Sequence, residues 1–231
     1  AVDIDNVDAT SVYLKFMPGA KLVCNTSGKN STNVFFWFRE NVVATIDGGE
    51  FDGGTIAEIC ARTTDVSATP GCELTVRNAK MYNFGWTTAD SATASSAGTI
   101  CILLSNGKRL VVDNCQFSDI RSKENGTYSD QPGKATFIQW FNASSGQQNP
   151  CTYSITNCEF DCGAEANEAD DFDSIHFLNQ AAIQECRGVV ENCRFKFHGK
   201  SRRVLKYQGG IHKVSHCHFE PTTTWLASTT G

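Results

Sequence analysis

Val190-Glu191-Asn192-Cys193-Arg194-Phe195 reads VENCRF, and the chain keeps writing this stretch again. Ile155 to Phe160 reads ITNCEF, Val112 to Phe117 reads VDNCQF, and Val214 to Phe219 reads VSHCHF. Val76 to Met81 (VRNAKM) and Ile46 to Phe51 (IDGGEF) are looser copies. The common form is aliphatic, any, Asn, small, any, Phe. Six copies in one chain define a repeat protein.

The period selects the kind of repeat. From Ile46 through Val76, Val112, Ile155, Val190 and Val214 the steps are 30, 36, 43, 35 and 24 residues. A helical array keeps a tight period, whereas this one stretches freely. The copies are rich in Val, Ile, Phe and Thr and bounded by Gly, Asn and Asp, which is strand and turn chemistry. A short minimum with insertions at corners fits one coil of a parallel β-solenoid lying on the next. The expected fold is all-β: a right-handed, single-stranded parallel β-helix of about six to seven coils.

Each motif position then has a physical task. The aliphatic residue ends one strand pointing inward. Asn takes the corner, where it tolerates left-handed backbone and can bond the Asn of the next coil. The small residue and Phe, two apart, point inward on the following strand. Stacking predicts one ladder of Asn78, Asn114, Asn157 and Asn192 and another of Phe117, Phe160, Phe195 and Phe219, with coils about 4.8 Å apart.

Val12 to Leu22 reads as a first coil with a Pro-Gly turn, and Val34 to Phe38 (VFFWF) as an aromatic strand. The apolar runs Thr55–Cys60, Thr99–Leu104, Thr136–Phe141, Ser174–Leu178, Arg203–Tyr207 and Thr223–Leu226 follow the copies and are expected to stack into one sheet of a three-sided coil. One domain spanning 1–231 is expected, as an excerpt or processed form of a longer chain, because it starts without Met and stops just after a strand-like run.

Composition bounds the function. The chain has 231 residues, a net charge of −5 and no basic run, so nucleic acid is excluded as a partner. No stretch approaches the roughly 18 apolar residues of a membrane span. Of eleven cysteines, Cys115, Cys158, Cys193 and Cys217 share one motif position. Side chains in register on parallel strands suit a disulfide dihedral badly, so these four read as small core residues. Cys162 continues the inward alternation after them. Cys72, Cys151 and Cys186 lie four residues before the aliphatic anchor, and Cys151 with Cys186, on adjacent coils, is the pair to test for a bridge. Sequons at Asn25, Asn30, Asn125 and Asn142 are at chance level in a chain so rich in Asn, Ser and Thr.

The repeated aliphatic-x-Asn-Cys-x-Phe, with IDGGEFDGG at 46–54, resembles the pectate-lyase-like superfamily of right-handed parallel β-helices. That superfamily includes polysaccharide lyases and hydrolases, phage tailspikes and bacterial surface proteins. The resemblance implies an extracellular, cell-surface or virion-associated protein, monomeric or homotrimeric, whose partner is a polysaccharide or cell-surface glycan. Its motifs describe the coil and not an activity. Asp170-Asp171, His198-Gly199 and Arg203-Val204-Leu205-Lys206 imitate the polygalacturonase set. However, His198 is only five residues from Arg203, which leaves no coil between them, and no Asn-Thr-Asp exists.

Chemistry therefore belongs to the loops. The acidic run Glu165, Glu168, Asp170, Asp171 and Asp173 leads into His176, and one coil later the same sheet carries Arg202, Arg203 and Lys206. A lyase on acidic glycans needs this pairing. Glu165, Glu168, Asp170 and Asp171 would hold Ca²⁺ to neutralise the substrate carboxylate, and Asp170, Asp171, Asp173, His176, Arg203 and Lys206 are the catalytic candidates. A solvated acidic loop, ion-paired to the next coil, is the plainer account of the same residues. Trp86 and Tyr128, isolated aromatics in Ser/Thr/Asn/Gly-rich insertions, are the ligand-binding candidates. Asp47 and Asp52 read as turn residues. His212, His216 and His218 do not converge on one ion by the period-2 rule. Three functions are thus carried forward: polysaccharide recognition, a tailspike or surface spacer, and a Ca²⁺-dependent lyase.

Overall fold

The computed structural model describes residues 2–4, 10–24, 34–39, 41–54, 57, 59–64, 71–85, 99–105, 107–120, 134–142, 151–161, 171–179, 186–197 and 203–221. They form three parallel sheets of seven strands each. The first sheet contains β1 (Val2–Ile4), β4 (Val34–Arg39), β7 (Ile59–Thr64), β10 (Thr99–Ser105), β13 (Lys134–Asn142), β16 (Asp171–Asn179) and β19 (Arg203–Gln208). The second contains β2 (Ser11–Lys15), β5 (Val43–Asp47), β8 (Glu73–Arg77), β11 (Arg109–Asp113), β14 (Thr152–Thr156), β17 (Arg187–Glu191) and β20 (Ile211–Ser215). The third contains β3 (Lys21–Val23), β6 (Glu50–Asp52), β9 (Lys80–Phe84), β12 (Gln116–Ile120), β15 (Glu159–Asp161), β18 (Arg194–Phe197) and β21 (His218–Pro221). Consecutive strands lie in different sheets, and each pairs with the strand three places on. The described residues form a three-sided parallel β-helix of seven coils with the right-handed sense that parallel crossovers take.

The motif is the corner between the second and third sheets. Asn78, Asn114, Asn157 and Asn192 all have φ between 51° and 56°, the left-handed conformation that Asn tolerates, and His216 takes the same place at 54°. Gly48 fills it in the first copy at φ 84°. The backbone ladder continues across the turn: Asn78, Asn114, Asn157 and Asn192 each donate their N–H to the strand end of the next coil. Gly49, where later copies carry Ala or Cys, is explained by the first coil. A Cβ there would lie 3.0 Å from the rings of both Phe16 and Phe51.

The side chains of the corner differ from a plain asparagine ladder. Asn114 donates to Asn78, at 2.9 Å, but Asn78 donates to Asp47 and Asn157 to Asp113. The residue just before the corner is acidic at Asp47, Asp113 and Glu191, which stand two coils apart. Each acid accepts from the equivalent and the following position of the next coil: Arg77 and Asn78 at Asp47, Thr156 and Asn157 at Asp113, and Ser215 and His216 at Glu191. The coils are therefore clamped in pairs. Asp47 also accepts from Tyr13; that bond, then those from Asn78 and Arg77, hold its carboxyl down at about 2.

Inside, rings of Phe117, Phe160, Phe195 and Phe219 stack 4.9, 4.9 and 5.2 Å apart, nearly parallel. The row extends through Met81 and Phe51 to Leu22 in strict register. The thiols of Cys115, Cys158, Cys193 and Cys217 are unbridged. Each reaches two carbonyls, one two residues back and one on the preceding coil, as with Cys115 to Asp113 and Val76. They fill the core and also tie the corner down weakly. Cys151 and Cys186 lie abreast, buried and as free thiols.

One expected boundary moves: the run placed at Thr55–Cys60 forms its strand four residues later, at Ile59–Thr64, and Val34–Phe38 belongs to this same first sheet. Thr223–Leu226 and Cys162 lie outside the described residues.

Candidate functional site: the outer face of the first sheet

The first sheet breaks the period-2 rule. All seven residues of β10 are buried. Cys101, Ile102 and Leu104 join the central core, whereas Ile100 and Leu103 join a separate cluster with Val34 and Ile59, against which Trp37 packs. Two consecutive residues thus turn inward at a bend, and the outer face carries two rows three positions apart. One row runs Val34, Ile59, Ile100, Thr136, Asp173, Arg203. The other runs Trp37, Arg62, Leu103, Gln139, His176, Lys206.

The second row is chemically dense. It offers an indole, a guanidinium, an amide, an imidazole and an ammonium on successive or near-successive coils, about 4.8 Å apart. Arg39 and Arg62 both lie over the Trp37 ring, with their guanidinium carbons 4.0 and 4.8 Å from its centroid. Burial first, and then the Arg39 charge, pull the Arg62 pKa below its ordinary value. His176 faces outward yet is only 4% exposed.

The candidates from sequence are distributed unevenly over this face. Strand register brings Asp173 abreast of Arg203 and His176 abreast of Lys206, so one coil step does join the acidic run to the basic one. Asp171 and Asp173 are placed by their backbone alone, Asp171 pairing with Lys134. Glu165, Glu168, Asp170, Trp86 and Tyr128 lie outside the described residues. Arg203 and Lys206 are half-buried, and His176 is no surface residue. Trp37, Arg62 and Gln139 escaped the sequence reading. Their signal was present in β4, where Phe36 and Phe38 point inward and the alternation turns Trp37 and Arg39 out.

Other clusters prove structural. Each histidine of the C-terminal trio has its own partner: Tyr153 for His212, Glu191 for His216 and Glu220 for His218. Among the described residues no group of three or more His, Cys, Asp or Glu converges as a metal site. A shallow groove of about 290 Å³ follows the corner past Asn78, Asn114 and Asn157, but those amides are committed to the clamps. The third sheet neutralises itself outside, with Lys80 to Glu50, Lys196 to Glu159 and Arg194 to Glu220 across neighbouring coils. Among the described residues no helix is long and apolar enough to cross a membrane.

No protein-family model matches the chain, nor does any curated protein or solved structure.

Proposed function

We propose that this protein recognises an extracellular polysaccharide laid along the outer face of its first sheet, in the manner of the pectate-lyase-like β-helices that its repeat resembles. The observation that carries this reading is the in-register row Trp37, Arg62, Leu103, Gln139, His176, Lys206. A regular polymer needs a regular partner, and along this row Trp37, Arg62, Gln139 and Lys206 are partly exposed, with Leu103 and His176 buried between them. Aromatic and cationic groups with an interspersed amide suit a sugar chain, which offers C–H faces and hydroxyls in alternation. The outside of the third sheet spends charged groups on ion pairs across neighbouring coils.

Retention on a panel of immobilised polysaccharides tests the reading. Gln139→Ala and Lys206→Ala are each expected to weaken the bound glycan by about tenfold, the loss of one hydrogen bond, charged in the case of Lys206. Retention of no polysaccharide, or indifference to both substitutions, would sink the proposal.

A degradative version has one observation of its own: Asp173 and His176 lie abreast of Arg203 and Lys206. In this reading Arg203 or Lys206, acting as a neutral base, would take the proton alpha to a uronate carboxylate while the C4–O glycosidic bond breaks, the electron pair forms the C4–C5 double bond and the leaving oxygen is protonated from water; the acidic run would hold a Ca²⁺ that neutralises the carboxylate. Ultraviolet absorbance of the unsaturated product, followed on uronate polymers with and without Ca²⁺, decides it. A flat trace on every polymer removes the lyase and leaves recognition standing.

A further inference from the structure

The outer face of the second sheet carries charge in an order that has no use within one chain. Each strand turns three side chains out, at its first, third and fifth positions, and the strands stand in register. On β8 these are Glu73, Thr75 and Arg77, and on β11 Arg109, Val111 and Asp113. On β14 they are Thr152, Ser154 and Thr156, and on β17 Arg187, Val189 and Glu191. First and fifth positions thus oppose each other in sign on β8, β11 and β17, and both are neutral on β14. They stand about 13 Å apart along the strand, too far for an ion pair. The pairs made within the chain run along the rows instead, with Lys108 and Arg109 3.7 Å from Glu73 and Arg77 3.0 Å from Asp47. The other faces lack this order. Outside the third sheet β15 carries Glu159 and Asp161 and β18 carries Arg194 and Lys196, and outside the first β19 carries Arg203 and Lys206, like signs on each strand. Between the charged rows of the second sheet lie Thr45, Thr75, Val111, Ser154 and Val189, half-buried and all short.

We propose that the outer face of the second sheet docks a second copy of the chain, the two β-helices lying side by side and pointing the same way. A two-fold axis parallel to the helix axis, passing over the central row, brings the first position of each strand opposite the fifth position of the same strand in the other copy. Glu73 then meets Arg77, Arg109 meets Asp113, Thr152 meets Thr156 and Arg187 meets Glu191, each twice. The flanking coils add Ser11 to Lys15, Val43 to Asp47 and Ile211 to Ser215, again without like charges. Lys213, at one rim of the central row, meets its own copy, but the Glu191 carboxylate attracts it within the chain. Tyr13, at the opposite rim, is bonded to Asp47 and Arg77. The short central side chains let the sheets approach to about 10 Å, the spacing of packed sheets. An antiparallel axis would exploit only the alternation along the rows, which the third sheet shares. Opposition within a strand fits the parallel axis, and among the described residues only the second sheet has it. The face measures about 16 Å by 34 Å, so a pair buries about 1,100 Å² in total, at the small end of specific interfaces. The first sheet takes no part, and the pairing stands apart from the glycan reading.

Sedimentation velocity of the full chain, at about 1 to 200 µM protein and at low and high salt, is the test. The expected wild-type result is a monomer–dimer equilibrium that weakens as salt rises. Arg109→Glu and Arg187→Glu each set a carboxylate against Asp113 or Glu191 of the other copy. Each is expected to raise Kd by about a hundredfold, because symmetry repeats the contact. Val43→Lys sets an ammonium against Asp47 and is expected to lower Kd by about fivefold. Val43 is 42% exposed, so this variant keeps the fold and still decides the matter if an arginine variant does not. Urea midpoints of each variant separate a lost interface from a lost fold. A wild type that stays monomeric at the highest concentration, or that forms trimers, overturns the proposal. A dimer indifferent to both arginine substitutions uses another surface and overturns it too. Sensitivity to Arg109→Glu alone, with Arg187→Glu and Val43→Lys silent, marks an antiparallel pair and overturns the parallel one.

Discussion

Single residues in this chain matter chiefly through what the neighbouring coil brings against them. Gly188 is the sharpest case: a Cβ there would lie 2.3 Å from the Tyr153 ring, which stacks in turn on Phe177 at 4.0 Å. Gly188→Ala is therefore expected to destabilise by about 1–3 kcal/mol, the usual cost of overpacking. An unchanged urea midpoint would show that the Tyr153 ring can move aside. Asp47 makes a second prediction. Its folded pKa is depressed to about 2 by Tyr13, Asn78 and Arg77, so the stabilisation it gives is complete above the unfolded value of about 3.9. That stabilisation is lost as pH falls towards about 2. Asp47→Asn should flatten the acid limb of the stability curve in this window, and a limb identical to wild type would contradict the bonding described. Thiols follow the same logic. Burial pushes Cys60 and Cys101 far above the ordinary thiol range. Under native conditions an aromatic disulfide reagent should reach the half-buried Cys24 and Cys217 long before either of them. Rapid labelling of Cys101, located by peptide mapping, would refute that order.

Strands behave as rungs, and their contribution depends on having a neighbour on both sides. Phe160 lies between Phe117 and Phe195 and is fully buried, whereas Phe219 stacks only on Phe195 and is 42% exposed. Phe160→Ala is expected to cost about 3–5 kcal/mol and Phe219→Ala well under half of that, read from equilibrium denaturation. Equal losses would mean that the rows do not carry the core as described. The same rows explain what could be read from the sequence. Corner, thiol and Phe positions recur with fixed spacing in every copy, because each has one conformational or steric task that few residues satisfy. The first sheet has no such signature. Its bend sends Cys101 and Ile102 inward together, and burial on both faces of β10 erases the alternation that marks a half-exposed strand. Trp37 is therefore one of four aromatics in a row within VFFWF, with nothing in the repeat to single it out. The acidic clamps were hidden for another reason: their residues occupy the motif position that varies, and only stacking reveals that Asp47, Asp113 and Glu191 meet the Asn or His of the coil above. Of the candidate site, the neighbourhood of His176, Arg203 and Lys206 was legible from coil order alone. The Trp37–Arg62 contact was not, since the motif copy between them, Ile46–Phe51, fixes a corner and not the register of the first-sheet strands on either side.

Strand pairing joins each coil only to its two neighbours, and side-chain bonds such as Tyr153 to His212 reach one coil further, so stability is close to a sum of coil and interface terms. The chemistry is divided by side. The corner between the second and third sheets and the outside of the third are tied by side-chain bonds and ion pairs, and the outside of the first sheet holds Arg62, whose buried Nε meets no acceptor among the described residues. Substitutions on the third sheet's exposed ion pairs, such as Lys80→Ala, should leave glycan retention unchanged and alter stability only slightly. Loss of retention in Lys80→Ala would move the binding face. The pairing of coils by Asp47, Asp113 and Glu191 has a further consequence for how such a molecule can be lengthened or shortened. Its smallest transferable unit is a doublet. Duplicating or excising two consecutive turns preserves the order of acid and donor along the corner, whereas a change by a single turn sets acid against acid or leaves donors facing each other. A chain of this kind is expected to tolerate changes in length of even parity and to resist odd ones, whatever it holds on its other side.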